Sequence, residues 1–277
     1  MFPLQHRPLI ISIAYSILGS YTDAEDVAQD VAEKWLILNT ETIQDEKNYL
    51  IRLTINHCLN QKKQQQRLEY KGLWLPEPVQ DKTLQLDQVL ELRDLLNYEL
   101  TTQLSRLSPY ERAVFILKEA FDFPHQEIAQ IIQKSPDNTR QLFRRAKGKV
   151  QQPVSPSPIS AEDQAKAYQF AHYIQQGDLE QLITLFKEDI TIYSDGGGKV
   201  TAALLPIVGA QKVAGFYLNI AQNISPTTQV RFEEVLGQPA IILSENNQIW
   251  SVVIFTLEAD KISTIYSILN PEKLKSL

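Results

Sequence analysis

LSPYERAVFILKEAFDFPHQEIAQIIQKSPDNTRQLFRRAKGKV, residues 107 to 150, is the stretch on which the fold turns. Ser108, Pro109 and Glu111 supply an N-cap, a first-turn proline and a capping-box partner, so a helix starts there. PHQEIAQII (124 to 132) predicts a short helix with Ile128, Ala129, Ile131 and Ile132 apolar, and SPDN then breaks and restarts the chain. In the helix that follows, Thr139, Phe143, Ala146 and Val150 recur at intervals of four, three and four, which defines a buried stripe. Arg140, Arg144, Arg145, Lys147 and Lys149 lie off that stripe, and no acidic residue falls between 140 and 150. A helix, a turn and a second helix with a basic outer face is the electrostatic footprint of phosphate contact. The start of the second helix, with Asp137, Asn138, Arg140 and Gln141, would face base edges in a major groove. A basic helix end also simply complements the C-terminal dipole, so the pattern carries both readings.

The rest of the 277 residues bounds what surrounds this element. Hydrophobic residues make up 43% and charged residues 22%, which excludes wholesale disorder, and the length suits two domains. One cysteine, Cys58, excludes an internal disulfide framework and any multi-cysteine zinc site. No apolar run reaches the roughly 18 to 20 residues of a membrane span. The net charge of -6 argues against a nucleic-acid binder on average, but residues 1 to 150 hold 19 basic against 20 acidic groups, and the remainder 8 against 13. The acidic excess sits mainly in the second part.

Before the helix-turn-helix the chain reads as helical. LIISIAYSIL near the start mimics a leader segment, yet Ile10, Ile13, Ala14, Ile17 and Leu18 fit an amphipathic core helix better. Thr22 and Glu25 stand at capping-box spacing, and Ala24, Val27, Ala28, Val31, Trp35 and Leu38 share one face of the next helix. Its other face carries Asp23, Asp26, Asp30 and Glu33, a stripe that is either solvated or docked on a basic partner. A third helix over about 48 to 66 ends in KKQQQR, and GLWLPEPVQD (72 to 81) breaks the chain with two prolines. A helical run from Leu84 to Leu104 follows.

QQPVSPSPIS (151 to 160) reads as a linker. Beyond it the pattern predicts helices over 162–176 and 178–187, a strand over 189–194, a helix near 209–222, and then strands in TTQVRFEEVL, PAIILS, IWSVVIFTLE and KISTIYSIL. The pattern predicts an α+β domain; His172, Tyr193, Asp195, Tyr217, Trp250 and Asn270 are its polar candidates should the fold enclose a pocket. Asp195 precedes Gly196, Gly197 and Gly198, which is first of all a turn signal.

DAEDVAQDVAEKWL (23 to 36) with the 48–66 helix resembles region 2 of extracytoplasmic-function sigma factors of the sigma-70 family, and residues 107 to 150 resemble their region 4. WLPEPV (74 to 79), SDGGGKV (194 to 200) and NPEKL (270 to 274) resemble segments of a subgroup bearing a C-terminal SnoaL-like domain. The resemblance implies a multi-domain fold: an all-α region 2 domain over 1–71, a linker over 72–83, an all-α helix-turn-helix region 4 domain over 84–150, a linker over 151–160, and an α+β SnoaL-like cone over 161–277. It implies RNA polymerase core as partner, with Asp23, Asp26, Asp30 and Glu33 on the clamp helices of the largest subunit, and promoter DNA as the other partner. The loop over about Asn39 to Lys47 would capture a flipped base, yet Glu41, Asp45 and Glu46 make it acidic, so Arg52, Lys62, Lys63 and Arg67 are the better backbone contacts, with His57 either beside them or an ordinary surface histidine.

The resemblance further implies regulation by the extension. Trp74 and Leu75 are large apolar groups in a stretch too short for its own core, so a cover is expected in an interface of Trp74, Leu75, Pro76, Asp195, Gly196, Gly197, Asn270 and Pro271. A small-molecule ligand in the cone is also expected, whereas no cofactor, metal, membrane or catalytic residue is, and the setting is cytoplasmic. A one-component DNA-binding regulator sensing a ligand, and a SnoaL-like cyclase or isomerase on a DNA-binding arm, are the alternative readings.

Overall fold

A computed structural model describes residues 2–38, 43–65, 70, 72–93, 95–150 and 159–277. Glu41, Arg67 and the linker residues 151–158 therefore lie outside the described residues, as does the side chain of Lys63. The chain forms two compact units, Met1–Glu69 with Asp81–Pro156 and Tyr70–Gln80 with Ser157–Leu277. Among the described residues no helix is long and apolar enough to cross a membrane.

In the first unit α1 (Arg7–Leu18) is buried on every side from Pro8 to Leu18, so it is a central core helix and not the amphipathic one expected. Both of its serines are satisfied: Ser16 Oγ donates to the Ile13 carbonyl at 2.7 Å and Ser12 Oγ to the Leu84 carbonyl at 3.2 Å. Gly19, at φ 72°, ends it. The next helix, α2 (Tyr21–Ile37), is capped by Ser20, whose hydroxyl accepts from the Asp23 amide, and not by the box expected at Thr22 and Glu25. Ser20 precedes the helix in extended backbone, as a cap must, whereas Thr22 is already inside it. Ala24, Val27, Ala28, Val31 and Trp35 are buried as their spacing predicts, but Leu38 is exposed because the chain leaves helical geometry there. α3 (Glu46–Gln65) follows.

The expected run from Leu84 to Leu104 is broken into α4 (Asp81–Leu84), a 3-10 turn at Leu86–Gln88, α5 (Leu90–Arg93) and α6 (Tyr98–Ser105). Gln85 takes a left-handed φ of 51°, and Asn97 starts a new helix by accepting from the Leu100 amide at 2.7 Å. α7 (Pro109–Glu119) carries the predicted Ser108/Glu111 box. α8 (His125–Ile132) and α9 (Pro136–Lys149) form the helix-turn-helix, joined through Gln133 in left-handed backbone. α6 and α7 pack on α1, and α7 and α8 on α3. The buried Arg112 guanidinium donates to the Ile17 carbonyl at the end of α1; burial pulls its pKa down to about 10, so it stays charged near neutrality.

In the second unit α10 (Ala161–Gln176) and α11 (Leu179–Thr184) lead directly into β1 (Phe186–Asp195), so the helix expected to reach 187 stops earlier and the strand starts earlier. β2 (Ile207–Val208), α12 (Ala210–Ala221), β3 (Gln229–Val235), β4 (Gln238–Glu245), β5 (Gln248–Glu258) and β6 (Lys261–Ile268) complete it. The sheet order is β2-β1-β6-β5-β4-β3. It is mixed and not wholly antiparallel, because β1 runs parallel to β6. The last four strands form hairpins whose central residues, among them Asn246 and Asn247, take positive φ as tight turns of matching twist require. β1 joins them only after the crossover through α12. Between helices and sheet, Phe170 stands edge-on to Tyr217 and Phe255, with centroids 4.9 and 5.0 Å away.

Candidate functional site

On α9, Thr139 and Ala146 are buried with Val150, while Phe143 is half-buried and meets the His125 ring edge-on at 5.5 Å. Asp137, Asn138, Arg140, Gln141, Arg144, Arg145, Lys147 and Lys149 are all exposed. They are not equivalent. Lys149 Nζ lies 2.8 Å from the buried Glu111 carboxylate and Lys147 Nζ 3.2 Å from Glu119, so both tie α9 to α7. Burial works against ionisation of Glu111, but its bonds to Lys149 and Ser108 together outweigh this and hold the carboxyl below the usual range. Arg140 lies 2.6 Å from Asp137 one turn earlier. Arg144 and Arg145 remain as exposed cations between these anchors.

On α2, Asp26, Asp30 and Glu33 are exposed and Asp23 is partly covered. Asp30 lies 3.5 Å from His57 Nδ1, and Lys34 is 2.5 Å from Nε2. Burial, then Lys34, push the His57 pKa down, against the pull of Asp30. The acidic face runs into an apolar tip that the periodicity left unassigned: Leu36 is 64% and Ile37 85% exposed. Arg52 does not stand free, since its guanidinium pairs with Glu127 of α8. Lys62 is partly covered on α3.

In the second unit, the segment Tyr70–Gln80 lies against the end of β1 and the residues after β6. Asp195 is fully buried. Its carboxylate accepts from Tyr70 Oη at 2.5 Å, the Leu75 amide at 2.9 Å and the Gly197 amide at 2.9 Å, and pairs with Lys273 Nζ at 2.7 Å. The Gly197 bond is the turn foreseen for Asp-Gly; the Tyr70 and Leu75 bonds hold the segment. Lys273 also donates to the Leu75 carbonyl and sits over the rings of Trp74 and Tyr70, at 4.1 and 4.8 Å. Burial lowers its pKa, against Asp195, while burial followed by Asp195 raises that of Tyr70.

Asn270 Nδ2 donates to Tyr70 Oη at 3.0 Å. Gly197, at φ 60°, lies so close that a Cβ there would meet Asn270 Nδ2 at 2.3 Å, and one on buried Gly196 would meet the Val200 carbonyl at the same distance. Leu75 and Pro76 are buried, and Pro271 is exposed. The structure thus brings Trp74, Leu75, Asp195, Gly197 and Asn270 together, with Tyr70 and Lys273 as members that sequence reasoning missed.

A cavity of about 630 Å³ opens between the helices and the sheet of this unit. His172, Tyr217 and Trp250 line it; Tyr193, Asp195 and Asn270 do not. Alternation along β1 explains the difference: Ile192 and Ser194 face the helices, whereas Tyr193 stacks on Tyr266, 5.7 Å away, and Asp195 serves the clasp.

A helix-turn-helix with a cationic outer face, in one unit with an acidic helical module, is the equipment of a DNA-binding protein. The family model for sigma-70 region 2 matches residues 4–68, and that for sigma-70 region 4 matches 97–150. ECF RNA polymerase sigma factor SigJ of Mycobacterium tuberculosis is 31% identical over 79% of this chain and 72% of its own length. Probable ECF RNA polymerase sigma factor SigI of the same organism is 27% identical over 98% and 93%. The crystal structure of SigJ shares the fold, with a TM-score of 0.75 over 96% of this chain and 95% of that one at 24% identity. The chain belongs to the ECF RNA polymerase sigma factors.

Proposed function

We propose that this sigma factor reads a -35 element through α9 and is regulated by the grip of its C-terminal cone on the segment Tyr70–Gln80. Asp137, Asn138, Arg140 and Gln141, at the helix start, face base edges, and Arg144 and Arg145 contact phosphates; their exposure supports this. Asp23, Asp26, Asp30 and Glu33, with the apolar tip at Leu36 and Ile37, form the face for the clamp helices of the polymerase. Arg52 and Lys62, with Lys63 and Arg67 from outside the described side chains, serve the -10 region. Arg52 does so only after leaving Glu127.

The observation that carries the regulatory reading is the buried Asp195–Lys273 pair closed around Leu75. That segment is the covalent link between regions 2 and 4, and promoter recognition needs both regions at elements set apart along DNA. Holding or releasing the link therefore biases one arrangement over another. The cone works as a non-catalytic regulator in the cytoplasm, with a small molecule in its cavity as the input; the engagement of Asp195 in the clasp supports this over an enzyme. The test is in vitro transcription with core polymerase, comparing the full chain with Asp195→Asn and Lys273→Met. A change in promoter activity by several fold, shared by both variants, is expected. Unchanged transcription overturns the regulatory role.

A further inference from the structure

The cone's cavity differs from a packed core in three respects. Its volume of about 630 Å³ falls inside the range of sites that hold small organic molecules, roughly 300 to 1,000 Å³. Among the described residues no carboxylate, ammonium or guanidinium lines it. Apolar groups at its mouth stay in water: Tyr168, stacked on Phe232 with centroids 3.8 Å apart, is exposed, as are Val230 and Ile220.

One polar atom of the lining points to what fits. Ser194 is 3% exposed, lines the cavity, and its Oγ has no hydrogen-bond partner among the described residues. A buried hydroxyl left unsatisfied is uncommon, because forgoing its bonds costs about 1–3 kcal/mol. Nearby, Tyr217 Oη and Ser267 Oγ satisfy each other at 2.8 Å, so of these three buried hydroxyls Ser194 is the one without a partner. Most of the lining is apolar, and a charged guest would find no carboxylate, ammonium or guanidinium to pair with.

We infer that the cavity binds a neutral, largely apolar molecule carrying one hydrogen-bonding oxygen, held by Ser194, and that its presence alters the adjoining clasp. Ser194 and Asp195 are consecutive on β1, one facing the cavity and the other Lys273. Leu269, which lines the cavity, and Asn270 both donate their amides to the Asp195 carbonyl, at 2.8 and 2.9 Å. A guest that shifts Ser194 or Leu269 therefore shifts the strand ends that grip Leu75. The coupling rests on the regulatory reading above; the binding site does not.

The probe is 4-phenylphenol, with biphenyl as the same shape lacking the oxygen, titrated into the full chain by calorimetry. The phenol is expected to bind about fivefold or more tightly than biphenyl, and Ser194→Ala to abolish that preference while leaving both able to bind. Ala171→Trp should abolish binding of both by filling the cavity, with Ile224→Trp at the mouth as the substitute should the first not fold. Hydrogen exchange at the Leu75 amide, which donates to Asp195, is expected to change when the phenol binds. Absence of binding, equal binding of phenol and biphenyl, or binding that survives the filled cavity overturns the site. Binding without any change at Leu75 overturns the coupling. Loss of the transcriptional effect of Asp195→Asn with binding intact would instead remove the regulatory reading and leave the site standing.

Discussion

Lys273 Nζ stands 2.7 Å from Asp195 Oδ2, with 8% of the lysine side chain and none of the aspartate exposed. An ion pair this deep is expensive to break from one side, because the survivor keeps its burial and loses its partner. Lys273→Met or Asp195→Asn should each destabilise the second unit by about 3–5 kcal/mol. The double variant should fall short of the sum by about 1–3 kcal/mol. Urea unfolding of the full chain, followed at the tryptophans, measures both; strict additivity would separate the two residues.

Gly197→Ala tests the same clasp through the backbone. Its φ of 60° disfavours any side chain, and the new methyl would run into Asn270 Nδ2. A loss of about 1–3 kcal/mol is expected, with faster exchange of the Leu75 amide. Gly215→Ala, in helical backbone with open space around its Cβ, is the control and should be neutral or stabilising.

Arg144→Ala and Arg145→Ala should weaken promoter binding, and each should lower its salt slope by about one unit if the arginine it removes neutralises one phosphate. Lys149→Ala should act mainly on stability, because that ammonium is bound to Glu111. Binding isotherms at several salt concentrations, beside thermal unfolding, distinguish the two effects.

Reversing Asp26 and Asp30 to lysine should reduce binding to core polymerase by an order of magnitude or more while leaving folding intact, since both are exposed opposite the buried Val27 and Val31. A pull-down with core enzyme reads the result. Unaffected capture would make the stripe a solvated face.

Glu111 gives a pH dependence with a defined sign. Its folded pKa lies below the unfolded value near 4.5, so the stability it contributes is present above that value and fades as pH falls through the folded one. Glu111→Gln should cost on the order of 1–3 kcal/mol near neutrality, as expected for hydrogen bonds to a charged group. The gap to the parent should close as the pH drops below about 4.5. Urea midpoints at pH 7 and in acid give the comparison.

How much of this was legible in the sequence follows from the range of the forces involved. Helix starts at Ser108 and the stripe through Thr139 and Ala146 are local, and periodicity reports them directly. The break at Gln85, the parallel pairing of β1 with β6, and the full burial of α1 depend on neighbours far along the chain, and no local spacing encodes them. At the clasp, the pattern named Asp195 and Asn270 but not Tyr70 or Lys273. A tyrosine and a lysine in polar surroundings look like surface residues until a buried carboxylate is placed between them. The orphan hydroxyl of Ser194 is likewise invisible without the fold, since only its burial makes it unusual.

The parallel seam between β1 and β6 sets an order in time. Synthesis runs from region 2 through region 4 to the cone, and β1 has no neighbour on that side until residues 261–268 exist. At about 5–20 residues per second, residues 151 to 277 take roughly 6–25 s to follow the helices of the first unit. During that interval Tyr70–Gln80 has left the ribosome while Lys273, its ammonium partner, has not yet been made. Every newborn molecule therefore passes through an ungripped stage, which ends only after Lys273, beyond the end of β6, has been added.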